Sequence, residues 1–181
     1  MRLPLFAVIT CLTATSLTAA PLPPASTARL RPQGARATEL LTRAAARSPT
    51  IQRLVDRLEA GDVIVYLEVS DRLDPQVDAC LTWMAATATR RIVRATIKPR
   101  LRERQAITLI AHELQHAVEV LDHPEVRSSD DLAGLYARIG HRTSPSGRHF
   151  DTVAAIAAGE LAATEATRPG RPAATRATGA L

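Results

Sequence analysis

The chain has 181 residues, 46% of them hydrophobic and 23% charged, which excludes a wholly disordered polymer and leaves room for one domain and hardly two. Lysine and arginine outnumber aspartate and glutamate by 23 to 18, a net charge of +5, but the excess is scattered and almost all arginine, Lys98 being the lone lysine. Aromatic residues make up 3%, too few for a base-stacking groove, so the charge reads as weak affinity for anionic surfaces and no nucleic-acid partner is expected.

Residues 1–20 read as a secretory signal peptide: Arg2 is a short basic start, Leu3 to Leu17 is mostly apolar, and Thr18-Ala19-Ala20 is a small-residue end. Export, periplasmic or secreted, is the expectation, with no integral membrane span after signal removal. Pro21 is a poor residue just after a cleavage point, which keeps an uncleaved N-terminal membrane anchor as the alternative. Residues 21–36, with prolines at 21, 23, 24 and 32, read as a linker, and 167–181 as a disordered tail, so the folded domain is expected over 37–166. Cys11 goes with the signal; Cys80 then stands alone and reads as a small buried side chain.

Within the domain, Leu40, Leu41, Ala44, Ala45, Ile51, Leu54, Val55 and Leu58 recur at helical spacing. Pro49 divides them into two helices and Gly61 stops the second. Asp62–Ser70, Ala79–Ala86 and Arg91–Ile97 read as three strands of a small sheet, the last half-exposed because arginines alternate with apolar residues. From Leu101 the period lengthens. Ala106, Leu109, Ile110, Glu113, Leu114, Ala117, Val118 and Leu121 predict a long helix ending before Pro124. A short helix over Leu132–Ile139, capped by Asp130-Asp131, a polar loop over His141–His149, and an alanine-rich helix over Phe150–Ala166 complete an α+β order.

The long helix contains His112-Glu113-Leu114-Gln115-His116. Histidines four apart lie on one helix face, one turn apart, so both rings can reach a single metal ion. Zinc suits two imidazoles and a carboxylate with one position left open. Glu113 stands beside the pair, where it can accept a proton from activated water and pass it to a leaving amine. A chain of this length and composition holds such a pentapeptide by chance only about 0.007 times, and here it falls inside a predicted helix with uncharged flanks. The pattern therefore points to a metal site rather than to a polar stripe.

These residues, with the order of sheet then motif helix then later acidic helix, resemble the zincin metallopeptidases, and the small size resembles the minimal gluzincin-like (minigluzincin-like) domains. The resemblance implies a zincin-like fold, His112 and His116 as zinc ligands, Glu113 as catalytic base and acid, and a peptide or protein substrate. The metzincin continuation is absent: Glu119 stands at its glycine and Asp122 at its third histidine. For the third ligand the resemblance leaves two carboxylates. Gluzincins usually supply glutamate, which favours Glu160; Asp151, opening the last helix before an alanine face, is preferred as the same pattern with aspartate substituted. The two are nine residues apart and on different helix faces, so they do not serve together. Glu119 is read as either an orienting partner of His116 or a solvated charge, and His123, His141, His149 and Tyr136 as candidates to polarise a substrate carbonyl or as surface and packing residues. The strand Arg91–Ile97 is expected at the sheet edge, beside the cleft, where an extended peptide could pair with it. A zinc-binding domain without peptidase activity, acting as a binding or structural module, is the alternative function.

Overall fold

A computed structural model describes residues 28–142 and 150–168. The signal segment 1–20, residues 21–27 of the linker, residues 143–149 with His149, and residues 169–181 of the tail lie outside the described residues. The order is β1 (Leu30–Pro32), α1 (Gly34–Arg47), α2 (Pro49–Glu59), β2 (Val63–Val69), β3 (Ala79–Ala86), β4 (Arg91–Ile97), α3 (Glu103–Asp122), α4 (Ser129–Ile139), β5 (His141–Arg142), β6 (Phe150–Asp151) and α5 (Val153–Thr167). Among the described residues, five helices and a small four-stranded sheet make a mixed architecture compatible with the α+β expectation. Among the described residues no helix is long and apolar enough to cross a membrane.

The sheet is built on β2, whose run of β-branched residues alternates between faces. Val63, Val65 and Leu67 are fully buried, whereas Tyr66 and Glu68 on the opposite face are half-exposed. β4 runs parallel to β2 with Val65 opposite Val93 and Leu67 opposite Ala95, so the two strands bury one common face. On the other face Arg94 pairs with Glu68 at 3.5 Å. β3 joins β4 antiparallel, with a bulge between Trp83 and Ala85.

Two expectations change here. The sheet has four strands in the order β1-β2-β4-β3, not three. The extra strand, Leu30–Pro32, lies in the stretch read as linker, and α1 already starts at Gly34. Three residues are too short for a periodicity, and β1 is held from outside itself: Val65 N donates to Arg29 O at 2.8 Å, and the Glu59 carboxylate accepts from the backbone N–H groups of Arg29 and Leu30 at 2.9 and 3.0 Å. The second change is that β4 is not an edge. Both its flanks are paired, and the open edge beyond it belongs to β3.

Helices α1 and α2 divide where expected. Ser48 caps α2 by accepting from Ile51 N at 3.2 Å, and Pro49 occupies the first turn, where its missing N–H is harmless. α3 is buried along Ala106, Ile107, Ile110, Ala111, Leu114, Ala117 and Val118. α5 lies close against it through Ala155, Ala158, Gly159 and Ala162. A Cβ on Gly159 would stand 3.0 Å from the Thr108 carbonyl oxygen and 3.7 Å from His112 Cβ, so the helix crossing at the motif needs the smallest residue there.

Candidate metal centre

Apolar burial on two sides fixes the rotation of α3 and leaves one face toward β6. His112, half-buried, and His116, buried, sit on that face one turn apart. Their Nε2 atoms are 3.1 Å apart and the rings meet edge to face, centroids 4.7 Å apart. The Asp151 carboxylate arrives from β6, its Oδ1 3.1 Å from His112 Nε2. One ligand atom from each of the three residues lies within 4.8 Å of the others.

Asp151 therefore does not open the last helix as expected; it sits in a two-stranded ribbon, opposite His141. The helix begins at Val153 with Thr152 as its cap, Thr152 Oγ1 accepting from Ala155 N at 3.0 Å. The ribbon approaches α4 closely: a Cβ on Gly140 would stand 2.9 Å from both the Asp151 and the Tyr136 carbonyl oxygens, so glycine lets Asp151 come in. Glu160 is exposed on α5 and is not in the cluster.

His116 is held from several directions. The Glu119 carboxylate, three residues on, places Oε2 2.8 Å from His116 Nδ1. With a carboxylate as its partner Nδ1 keeps the proton, which leaves the Nε2 lone pair facing His112 and Asp151. Glu119 Oε1 accepts from Thr152 Oγ1 at 2.5 Å. Tyr136 packs its ring edge to face on His116 and donates its hydroxyl to the His116 carbonyl oxygen at 3.3 Å; burial raises the phenol's pKa. Of the two readings of Glu119, the orienting one matches this geometry. Thr152 was not singled out from the sequence; its signal was a threonine at a helix start directly after a candidate ligand. His141 lies beside Asp151 on the exposed ribbon, whereas His123 ends α3 and is 3.0 Å from Glu125 at the surface.

Glu113 is 3% exposed, and its Oε2 has no hydrogen-bond partner among the described residues. Burial pushes its carboxyl above the usual carboxylate range, against the charges of His116 and His112 and with those of Asp151 and Glu119. For His112, burial opposes protonation, but the Asp151 bond and the charges of Glu113, Asp151 and Glu119 outweigh it and raise the pKa. The same His112 bond holds Asp151 below its ordinary value. Cys80 is half-buried on β3, and burial together with the Glu113 charge raises its thiol to about 11, so it stays protonated and is no nucleophile at neutral pH.

The donor set fits a zinc ion. Ligands 2.0–2.1 Å from a tetrahedral ion stand roughly 3.3–3.4 Å from one another, and His112 Nε2 stands 3.1 Å from both His116 Nε2 and Asp151 Oδ1, with the three ligand atoms within 4.8 Å of one another. Two imidazoles and a carboxylate are ligand types that zinc takes, and beside them the buried Glu113 Oε2 has no hydrogen-bond partner among the described residues. Comparison with protein-family models finds no match for this chain. Comparisons with curated proteins and with solved structures find none either.

Proposed function

We propose that this chain is an exported, zincin-like, zinc-dependent peptide hydrolase. The observation that carries the reading is the convergence of His112 Nε2, His116 Nε2 and the Asp151 carboxylate beside the buried Glu113, whose Oε2 has no partner among the described residues. His112, His116 and Asp151 would hold the ion. When bound, zinc supplies Lewis acidity, bringing the deprotonation of water toward neutral pH and polarising a peptide carbonyl. Glu113 takes the proton of the attacking water at Oε2 and returns it to the leaving amine nitrogen, a task for which a raised carboxyl pKa is suited. The open edge of β3, rather than β4, offers backbone groups to an extended peptide.

The test is metal analysis of the purified protein together with turnover of a peptide library by wild type and Glu113→Gln. Stoichiometric zinc and a loss of about 10²–10⁴-fold in kcat for Glu113→Gln are expected. A wild-type chain without zinc, or a Glu113→Gln variant as active as wild type, overturns the reading. Zinc bound through His116 with no peptide cleaved would instead make the domain a metal-holding binding module.

A further inference from the structure

Glu119 is buried with 7% exposure, and its two oxygens are divided between two partners: Oε2 to His116 Nδ1 and Oε1 to Thr152 Oγ1. Thr152 is itself 3% exposed. Its hydroxyl has a settled direction, because the oxygen already receives the Ala155 N–H and its one proton points to Glu119. A directed chain thus runs from the start of α5 through Thr152 and Glu119 to a ring nitrogen of His116. Thr152 also follows Asp151 directly, so one residue is bonded to one candidate ligand and reaches another, His116, through Glu119.

We propose that Thr152 is a positioning residue of the metal centre: by anchoring Glu119 it keeps the proton of His116 on Nδ1 and so presents Nε2 as a ligand beside Asp151. This rests on the reading of His112, His116 and Asp151 as a metal centre. A buried carboxylate that loses one of two donors has a reason to turn toward another partner, and Nδ1 then loses its fixed acceptor. A residue serving only as a helix cap would leave the tautomer of His116 untouched.

Thr152→Val removes the hydroxyl at nearly constant volume, and Thr152→Ser restores it. Three measurements separate the roles: long-range ¹H–¹⁵N NMR of the His116 ring in metal-free protein, zinc affinity by chelator competition, and thermal unfolding of the metal-free chain. The proposal expects an Nδ1–H tautomer in wild type and Thr152→Ser, a mixed tautomer in Thr152→Val, and zinc affinity about tenfold weaker in Thr152→Val alone. A Thr152→Val chain with lower thermal stability but wild-type tautomer and zinc affinity overturns it. So does an Nε2–H tautomer in wild type, which needs no variant to fold. A wild-type chain that takes up no zinc overturns the metal-centre reading and this proposal with it. Normal zinc binding in wild type with equal binding in Thr152→Val overturns the proposal alone.

Discussion

Among the described residues, Arg91 is one of the largest fully buried side chains and the one charged residue in that group, 1% exposed. Its Nε and Nη2 grip the Asp62 carboxylate at 2.9 and 2.7 Å, and its Nη1 and Nη2 reach the carbonyl oxygens of Val120, Leu121 and His123. The final carbonyls of a helix have no partners inside it, so the guanidinium supplies what the end of α3 lacks and ties the motif helix to β4. The same contact holds Asp62 below its ordinary pKa. Arg91→Met takes the guanidinium from the Asp62 carboxylate and from the Leu121 carbonyl, while the Val120 and His123 carbonyls keep the backbone N–H groups of His123 and Val126; it is expected to lower unfolding free energy by about 3 kcal/mol. Arg91→Lys recovers only part of that, since an ammonium cannot match the fork. Urea unfolding midpoints at constant slope check both, and a loss under about 1 kcal/mol for Arg91→Met would refute the capping role. Alternation along the strand assigned arginines to an exposed face. That is right for Arg94, but Arg91 lies on the helix side, where its partners come from two distant segments that no local pattern connects.

At the scale of elements, the ones legible in the sequence carried their own periodicity and punctuation: α1 and α2 split at Pro49, β2 by its β-branched run, α3 by its period and Pro124. Elements of two or three residues, β1, β5 and β6, have neither, and they exist because neighbours supply hydrogen bonds. For the same reason α5 starts at Val153, three residues later than composition predicts. Phe150 and Asp151 precede an apolar helix without a break in composition, and only the pairing with His141–Arg142 takes them out of it. The other end of α5 carries a clasp. The Glu165 carboxylate accepts from Ser48 Oγ at 2.6 Å, Thr50 N at 3.0 Å and Thr50 Oγ1 at 2.9 Å, joining α5 to the start of α2. Burial opposes its ionisation, but these donors and Arg53 outweigh it, so the folded pKa lies below the ordinary 4.5. A depressed folded pKa means that the clasp stabilises fully above 4.5 and fades as the pH falls through the lower folded value. Glu165→Gln should therefore be less stable than wild type at neutral pH and lose less stability on acidification below 4.5, read from urea midpoints across that range. Parallel pH dependences in the two proteins would show that the clasp contributes nothing through its charge.

Across the whole molecule, the candidate ligands come from two segments 35 residues apart that meet only after α4 reverses the chain. The histidine pair was legible because both members lie within one helical turn. The carboxylate was legible only as a choice, because Asp151 and Glu160 differ in where the ribbon puts the chain and not in local pattern. Apolar side chains from the sheet and from all five described helices form one continuous core. The fold should consequently stand without the ion, and the ion should act as a cross-link between α3 and β6 that binds the native state and not the unfolded chain. Linkage then sets the size of the effect: free zinc at about 100 times its Kd adds about 2.7 kcal/mol, on the order of 10 °C in Tm for a domain of this length. Chelator-treated protein is expected to keep its far-ultraviolet circular dichroism and to melt cooperatively at the lower temperature, with zinc restoring the higher one. Asp151→Ala should melt near the chelated wild type and respond to zinc weakly, whereas Glu160→Ala should respond as wild type does. Equal zinc shifts in wild type and Asp151→Ala would remove Asp151 from the ligand set. A zinc shift lost in Glu160→Ala instead would mean that the exposed face of α5, and not the ribbon, turns toward the histidines.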